Sequence, residues 1–420
     1  MRALTVVENI SDTTFAVMAV VRVGSIYETP EEYGMSHLLE HMMFSREKLV
    51  EQISKVGVQC NAMTSFDSTK YYLVGQKEVW QDILRLFNTL MARPEFTEKE
   101  LQTEIDVVLN ELSLHADNET QEPQIFQTLF WQNTAYEHDI GGTYTVLKNM
   151  TKEGVMAYYD KHYKDTALWI SAPANICSEV KKYVNKEYPA VEQECMNANT
   201  TRYDILKIKN LPNTFTLIDA KGSPTSDIAL LFRSTPYDAK SILLIDMFTH
   251  ALSSGLDGIL NRDLRVEKGY TYGVHATNIS FVDNGIYIIS FNTTEKDVGK
   301  VVHAFLDRLA SLRKEFSRKN FDILKRSFTL TEATRYRDPF DLMHRLLEFE
   351  FYSGKDAHVT KGIEGYTDFM NKNIQYDDFM RVLDMMMTFP SASMVIASPH
   401  STQMMTQRLV REFKSFLKLK

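Results

Sequence analysis

The strongest chemical signal in the chain is a pair of histidines four residues apart, His37 and His41, with Glu40 between them. On a helix, residues i and i+4 stand one above the other, so both imidazoles leave one face and can bind a single metal ion. Glu40 lies beside that same point. Met35, Leu38, Leu39, Met42 and Met43 occupy the other side and anchor the helix in a core. With 11 histidines in 420 residues, chance would place such a trio somewhere in roughly a few per cent of chains of this size. The metal reading therefore outweighs accident. The order His-x-x-Glu-His reverses the HExxH zinc helix and is the inverzincin pattern.

A catalytic zinc needs a third protein ligand and an open position for water. The helix opening at Thr97, whose Thr97-x-x-Glu100 spacing is a capping box, offers Glu104 and Glu111, seven residues apart and nearly in line. Glu98 and Glu100 are explained by the positive end of the helix dipole. Glu111 is not. His115, four residues beyond Glu111, is a weaker alternative as ligand or supporting partner.

The elements that must position these groups follow from periodicity. Strands are expected over Arg2 to Val7, Thr14 to Val23, Gln59 to Thr64, Lys70 to Gly75 and Ala167 to Ala172. Helices are expected near Met35 and over Val79 to Ala92, Glu98 to His115 and Lys152 to Lys161. Strands resume at Thr214 to Ile218 and Asp227 to Phe232, before one long helical stretch from Ala239 to Leu264. The element order around Gly57-Val58 recurs around Gly273-Val274, which reads as a duplicated fold. The expectation is an α+β protein of two similar domains, each a mixed, largely antiparallel sheet with helices packed on it. Residues 1–190 would form the metal-binding domain, the polar stretch 191–212 a linker, and 213–420 the second domain.

Bulk properties bound the function. At 420 residues, with 44% hydrophobic and 24% charged content, the chain suits two soluble domains. A net charge of -8 argues against nucleic acid as partner and leans toward cationic peptides. Three cysteines without CxxC spacing (Cys60, Cys177, Cys195) fit a reducing compartment and hold no metal of their own. No apolar run approaches the roughly 20 residues of a membrane span. MRALTVVENI lacks the character of a targeting peptide, so the expected location is cytoplasmic.

A wider set of motifs now joins the histidine helix. Gly24-Ser25-x-x-Glu28, HLLEH at His37 to His41, Asn61-Ala62-x-Thr64, Glu104-x6-Glu111, Gly141-Gly142, His162-Tyr163 and Arg265-x6-Tyr272 together resemble the pitrilysin, insulysin and mitochondrial processing peptidase family of zinc peptidases. Nearly the whole chain is covered. The connection between Phe44 and Asn61 is shorter than the family's pattern, which bears on the cleft beside the metal helix.

The resemblance implies that His37, His41 and Glu111 ligate one zinc per chain, with Glu40 as general base and Glu104 supporting a ligand or the helix. It implies that Asn61 and Ala62 lie on an edge strand to which a peptide adds, while Thr64 reads equally well as a plain strand residue. It also implies that Arg265 and Tyr272 reach toward a facing zinc site to bind substrate and stabilise the oxyanion. Because some relatives carry four such domains, a two-domain chain is expected to close its chamber with a second chain, as a homodimer or a heterodimer. The rivals are a non-catalytic peptide-binding or structural subunit, which would lack some of the four site residues, and a metal-dependent hydrolase of non-peptide substrates.

Overall fold

The computed structural model describes residues 3–117, 130–131, 134–163, 166–187, 213–220, 223–354, 359, 362–399 and 403–418. The expected linker at 191–212 lies outside the described residues. The chain forms two compact units. One comprises Met1–Asn118, Trp131–Ile205 and Ala333–Phe369; the other comprises Glu119–Phe130, Leu206–Glu332 and Met370–Lys420.

The first unit is built on β1 (Ala3–Asn9), β2 (Thr14–Val21), β3 (Gln59–Thr64), β4 (Thr69–Gln76) and β5 (Ala167–Pro173), in the order β1-β5-β2-β4-β3. Only β1 and β5 pair in parallel; the other neighbours are antiparallel. β2 reads as an almost unbroken apolar run because both of its faces are covered. Phe15, Val17, Ala19 and Val21 face a core that includes α1 (Met35–Phe44), α2 (Glu47–Val56), α3 (Trp80–Met91) and α4 (Glu98–Asp117). Ala16, Met18 and Val20, with Trp169, face the opposite way against Met343, Leu347 and Phe351.

Those three residues, spaced i, i+4, i+8, belong to the helix Pro339–Ser353, so the expected assignment of 213–420 to one domain needs correcting. The helix is drawn to the first sheet by its apolar stripe and held there by polar contacts. Glu350 accepts from the Thr5 hydroxyl and from Trp169 Nε1 at 3.0 Å. Lys70 Nζ donates to Glu348 Oε1 at 2.7 Å and lies 2.9 Å from His344 Nε2. Burial pushes His344 down to about 4. Burial alone would raise Glu348, but Lys70 and His344 outweigh it and hold the carboxyl at about 2.

The second unit repeats the plan with β6 (Thr214–Asp219), β7 (Ser226–Ser234), β8 (Val274–Ser280), β9 (Gly285–Thr293) and β10 (Ser393–Ser398), ordered β6-β10-β7-β9-β8. Again one pair, β6 with β10, is parallel. The expected class, two similar mixed sheets with helices packed on them, is what the chain adopts. The single helix expected over Ala239 to Leu264 is instead two elements: Ala239–Ser253 and a π-helical segment, Asn261–Glu267. Gly255 takes a left-handed φ of +53° between them, which ends regular helix. No helix among the described residues is long and apolar enough to cross a membrane.

Candidate metal centre and its surroundings

The start of α1 is fixed before its histidines appear. Gly34, at φ +94°, caps the helix, and the buried Glu28 carboxylate accepts from Gly34 N–H at 2.8 Å and Ser36 N–H at 2.7 Å. A carboxylate at a helix N-terminus satisfies orphan donors and meets the positive end of the dipole. Glycine is also needed opposite: at Gly142, φ +85°, a Cβ would fall 2.2 Å from the Tyr33 carbonyl oxygen. These contacts give Glu28 and Gly142 a local purpose, supporting the first turn of α1.

One turn further, His37 and His41 project together, their rings 4.7 Å apart and edge to face. Glu111 reaches them from α4, whose start is closed by the expected capping box. Thr97 N–H donates to Glu100 Oε2 and Glu100 N–H to Thr97 Oγ1. Glu111 Oε2 lies 3.8 Å from His37 Nε2 and 3.6 Å from His41 Nε2. Among the described residues, the only group of three or more metal-ligating side chains is His37, His41 and Glu111, whose donor atoms all lie within 4.8 Å of one another.

Two ligands about 2.1 Å from a tetrahedral zinc stand about 3.4 Å from each other. The carboxylate-to-imidazole separations are close to that spacing, and two nitrogens with one carboxylate oxygen suit zinc. The residues present therefore fit the ion. Glu104, two turns of α4 before Glu111 and in line with it, accepts from His41 Nδ1–H at 3.2 Å. That contact fixes the tautomer and turns Nε2 toward Glu111.

Glu40 lies beside this group and is largely buried. Burial raises its pKa, Thr64 and His41 pull it back, and Glu111 adds a smaller upward push. Thr64 Oγ1 donates to Glu40 Oε2, a role that reading Thr64 as a plain strand residue does not reveal. The available signal was parity: on β3, Cys60, Ala62 and Thr64 share the less exposed face, while Gln59, Asn61 and Met63 share the other.

Asn61 and Ala62 lie on β3, one of the two edge strands of the sheet. Arg265 lies in the π-helical segment of the second unit, its guanidinium 4.8 Å from the centre of the Tyr272 ring. Tyr272 is 81% exposed. The backbone of His115 continues α4 past Glu111.

The chain has recognisable relatives. Residues 4–143 match the family described as insulinase, peptidase family M16, and residues 149–328 match the one described as peptidase M16 inactive domain. This chain belongs to the M16 family of zinc peptidases. An uncharacterized zinc protease of Rickettsia felis is 25% identical over 347 residues, covering 79% of this chain and 77% of that protein. A probable mitochondrial-processing peptidase subunit beta of Arabidopsis thaliana is 26% identical over 69% of this chain and 55% of its own length. Among solved structures, a protease from Helicobacter pylori matches with a TM-score of 0.75 at 18% identity, covering 95% of this chain and 97% of that one. At that identity the likeness concerns the fold.

Proposed function

We propose that this M16 protein is a zinc-dependent endopeptidase with its ion held by His37, His41 and Glu111. The observation that carries the reading is the convergence of these three donors on one point with the buried carboxylate of Glu40 alongside. A bound zinc would polarise the scissile carbonyl and lower the pKa of its water to roughly 7. Glu40 takes a proton from the attacking water and passes it to the leaving amine, so water divides between the new carboxylate and the new amino group. Glu104 keeps His41 in the tautomer that leaves Nε2 free to bind.

The edge of β3 offers main-chain groups to a peptide lying alongside as a further strand, with Asn61 and Ala62 in contact with it. Arg265 and Tyr272 supply substrate contacts and oxyanion stabilisation to the zinc site of a second chain. One chain holds both the metal set and this pair, so a homodimer suffices. Relatives named as processing-peptidase subunits favour a heterodimer as the second reading. The match described as an inactive domain covers 149–328, a range that includes none of His37, Glu40, His41 and Glu111, so it does not weigh against catalysis at that set.

The test is metal analysis of the purified protein together with a peptide-library digest by wild type and Glu40→Gln. One zinc per chain and cleavage that disappears in the variant are expected; neither zinc nor Glu40-dependent cleavage would defeat the reading. Mixing Glu40→Gln with Arg265→Ala tests the shared site. Recovered activity is expected, and none after verified subunit exchange would remove the two-chain arrangement.

A further inference from the structure

We infer that Thr64 is a positioning residue that ties the general base to the strand on which substrate docks. The inference rests on the peptidase reading above and extends it to a residue that reading leaves unused.

The ladder of β3 fixes where its main-chain groups point. Ser65 N–H donates to the Ser68 carbonyl at 2.8 Å, which makes Ser65 and Ser68 a hydrogen-bonded pair. Bonded and non-bonded pairs alternate along an antiparallel ladder. Met63 with Lys70 and Asn61 with Tyr72 are therefore the next bonded pairs in the register. The main-chain groups of Ala62 and Thr64 consequently face the open edge. Ala62 N–H is met by the side-chain oxygen of the preceding residue, Asn61, at 2.9 Å. This local contact covers an edge donor that an incoming strand would have to take over.

At Thr64 the edge changes use. Its hydroxyl donates to Glu40 Oε2. A β-branched side chain has few χ1 states, so the hydroxyl is held where the strand puts it. Glu40 is thereby fastened to the terminal residue of β3, two residues from the edge groups of Ala62. The register of a docked peptide and the orientation of the base are set by one short piece of backbone. Without the hydroxyl, a buried carboxylate loses a charge-assisted hydrogen bond and gains rotational freedom. Peptide docking, which uses main-chain groups, is left intact.

Thr64→Val removes the donor at nearly constant shape, and Thr64→Ser keeps it. With a peptide cleaved by the wild type, kcat of Thr64→Val is expected to fall about ten- to a hundredfold, with KM changed by less than about threefold. Zinc content should stay at the wild-type value, and Thr64→Ser should recover most of kcat. Should the valine variant not fold, Thr64→Ala gives the same deletion. The inference is overturned if the donor-less variant keeps kcat within about twofold of wild type, if serine loses as much as valine, or if the loss falls in KM. Those outcomes leave Glu40-dependent cleavage by the wild type standing. Loss of that cleavage itself would instead sink the peptidase reading, and this inference with it.

Discussion

In the first unit β2 leads into α1 and then toward the edge strand β3; in the second, β7 leads into the helix Ala239–Ser253 and then toward the edge strand β8. Where α1 presents His37, Glu40 and His41, the corresponding helix buries Ile242, Leu243, Leu244, Ile245, Met247 and Phe248 and carries one histidine, His250. His250 Nε2 lies 3.0 Å from the Ser327 hydroxyl. The two sheets share strand order and the place of their single parallel pair. Topology in this chain is thus specified by the apolar pattern, while the candidate metal set is added by a few residues on one copy.

That contrast can be broken most sharply at the histidines. His37→Ala or His41→Ala should take bound zinc from one per chain to none and peptide cleavage to background, as read by metal analysis and a fluorogenic peptide. Retained zinc would place the ion elsewhere. Glu40→Gln should keep the zinc and lower kcat by about 10²–10⁴-fold, the usual contribution of a general base. Glu104→Gln should weaken zinc binding by about 10–100-fold, measured by chelator competition, because His41 loses the partner that orients it.

A smaller effect distinguishes the units by acid stability. All three tryptophans, Trp80, Trp131 and Trp169, lie in the first unit, so their fluorescence reports its unfolding alone. His344, lowered to about 4 in the folded unit, must gain a proton on unfolding below its ordinary value near 6.5. Its stabilising contribution is present above pH 6.5 and lost as pH falls toward 4. Glu348, held at about 2, adds a contribution present above about 4.5 and lost toward pH 2. Tryptophan-monitored stability should therefore fall in both windows, and His344→Gln should lessen the fall in the upper one, which His162, also lowered to about 4 by burial in this unit, shares. The smallest effect is expected at His250→Ala, with zinc content and kcat unchanged. A change in zinc content there would end the contrast between the two copies.

The grouping of His37, His41 and Glu111 into a candidate metal centre was largely legible in the sequence because its information is local. The i, i+4 histidines and the glutamates of a capped helix each fall within a few turns, where periodicity states which side chains share a face. Thr64 was not legible as a partner of Glu40, because that contact joins a strand to a helix 24 residues earlier and no spacing rule links them. The break after Ser253 escaped for a different reason: the apolar pattern continues through Leu260 and Leu264, while the turn depends on the conformation of Gly255. The membership of Pro339–Ser353 was hidden by distance alone. Its stripe of Met343, Leu347 and Phe351 announces a buried face, but not which sheet receives it.

That returning helix has a consequence for the order in which the protein is made. A ribosome releases β1 to β5 within the first 173 residues, yet the cover for Ala16, Met18, Val20 and Trp169 is not complete until Phe351 has been synthesised. Until then the nascent chain lacks the residues that, among those described, pack on this apolar sheet surface. The unit that carries the candidate metal set is thus made before its covering helix and closed only after it. Separating it as an independent fragment would expose the surface that the late helix exists to cover.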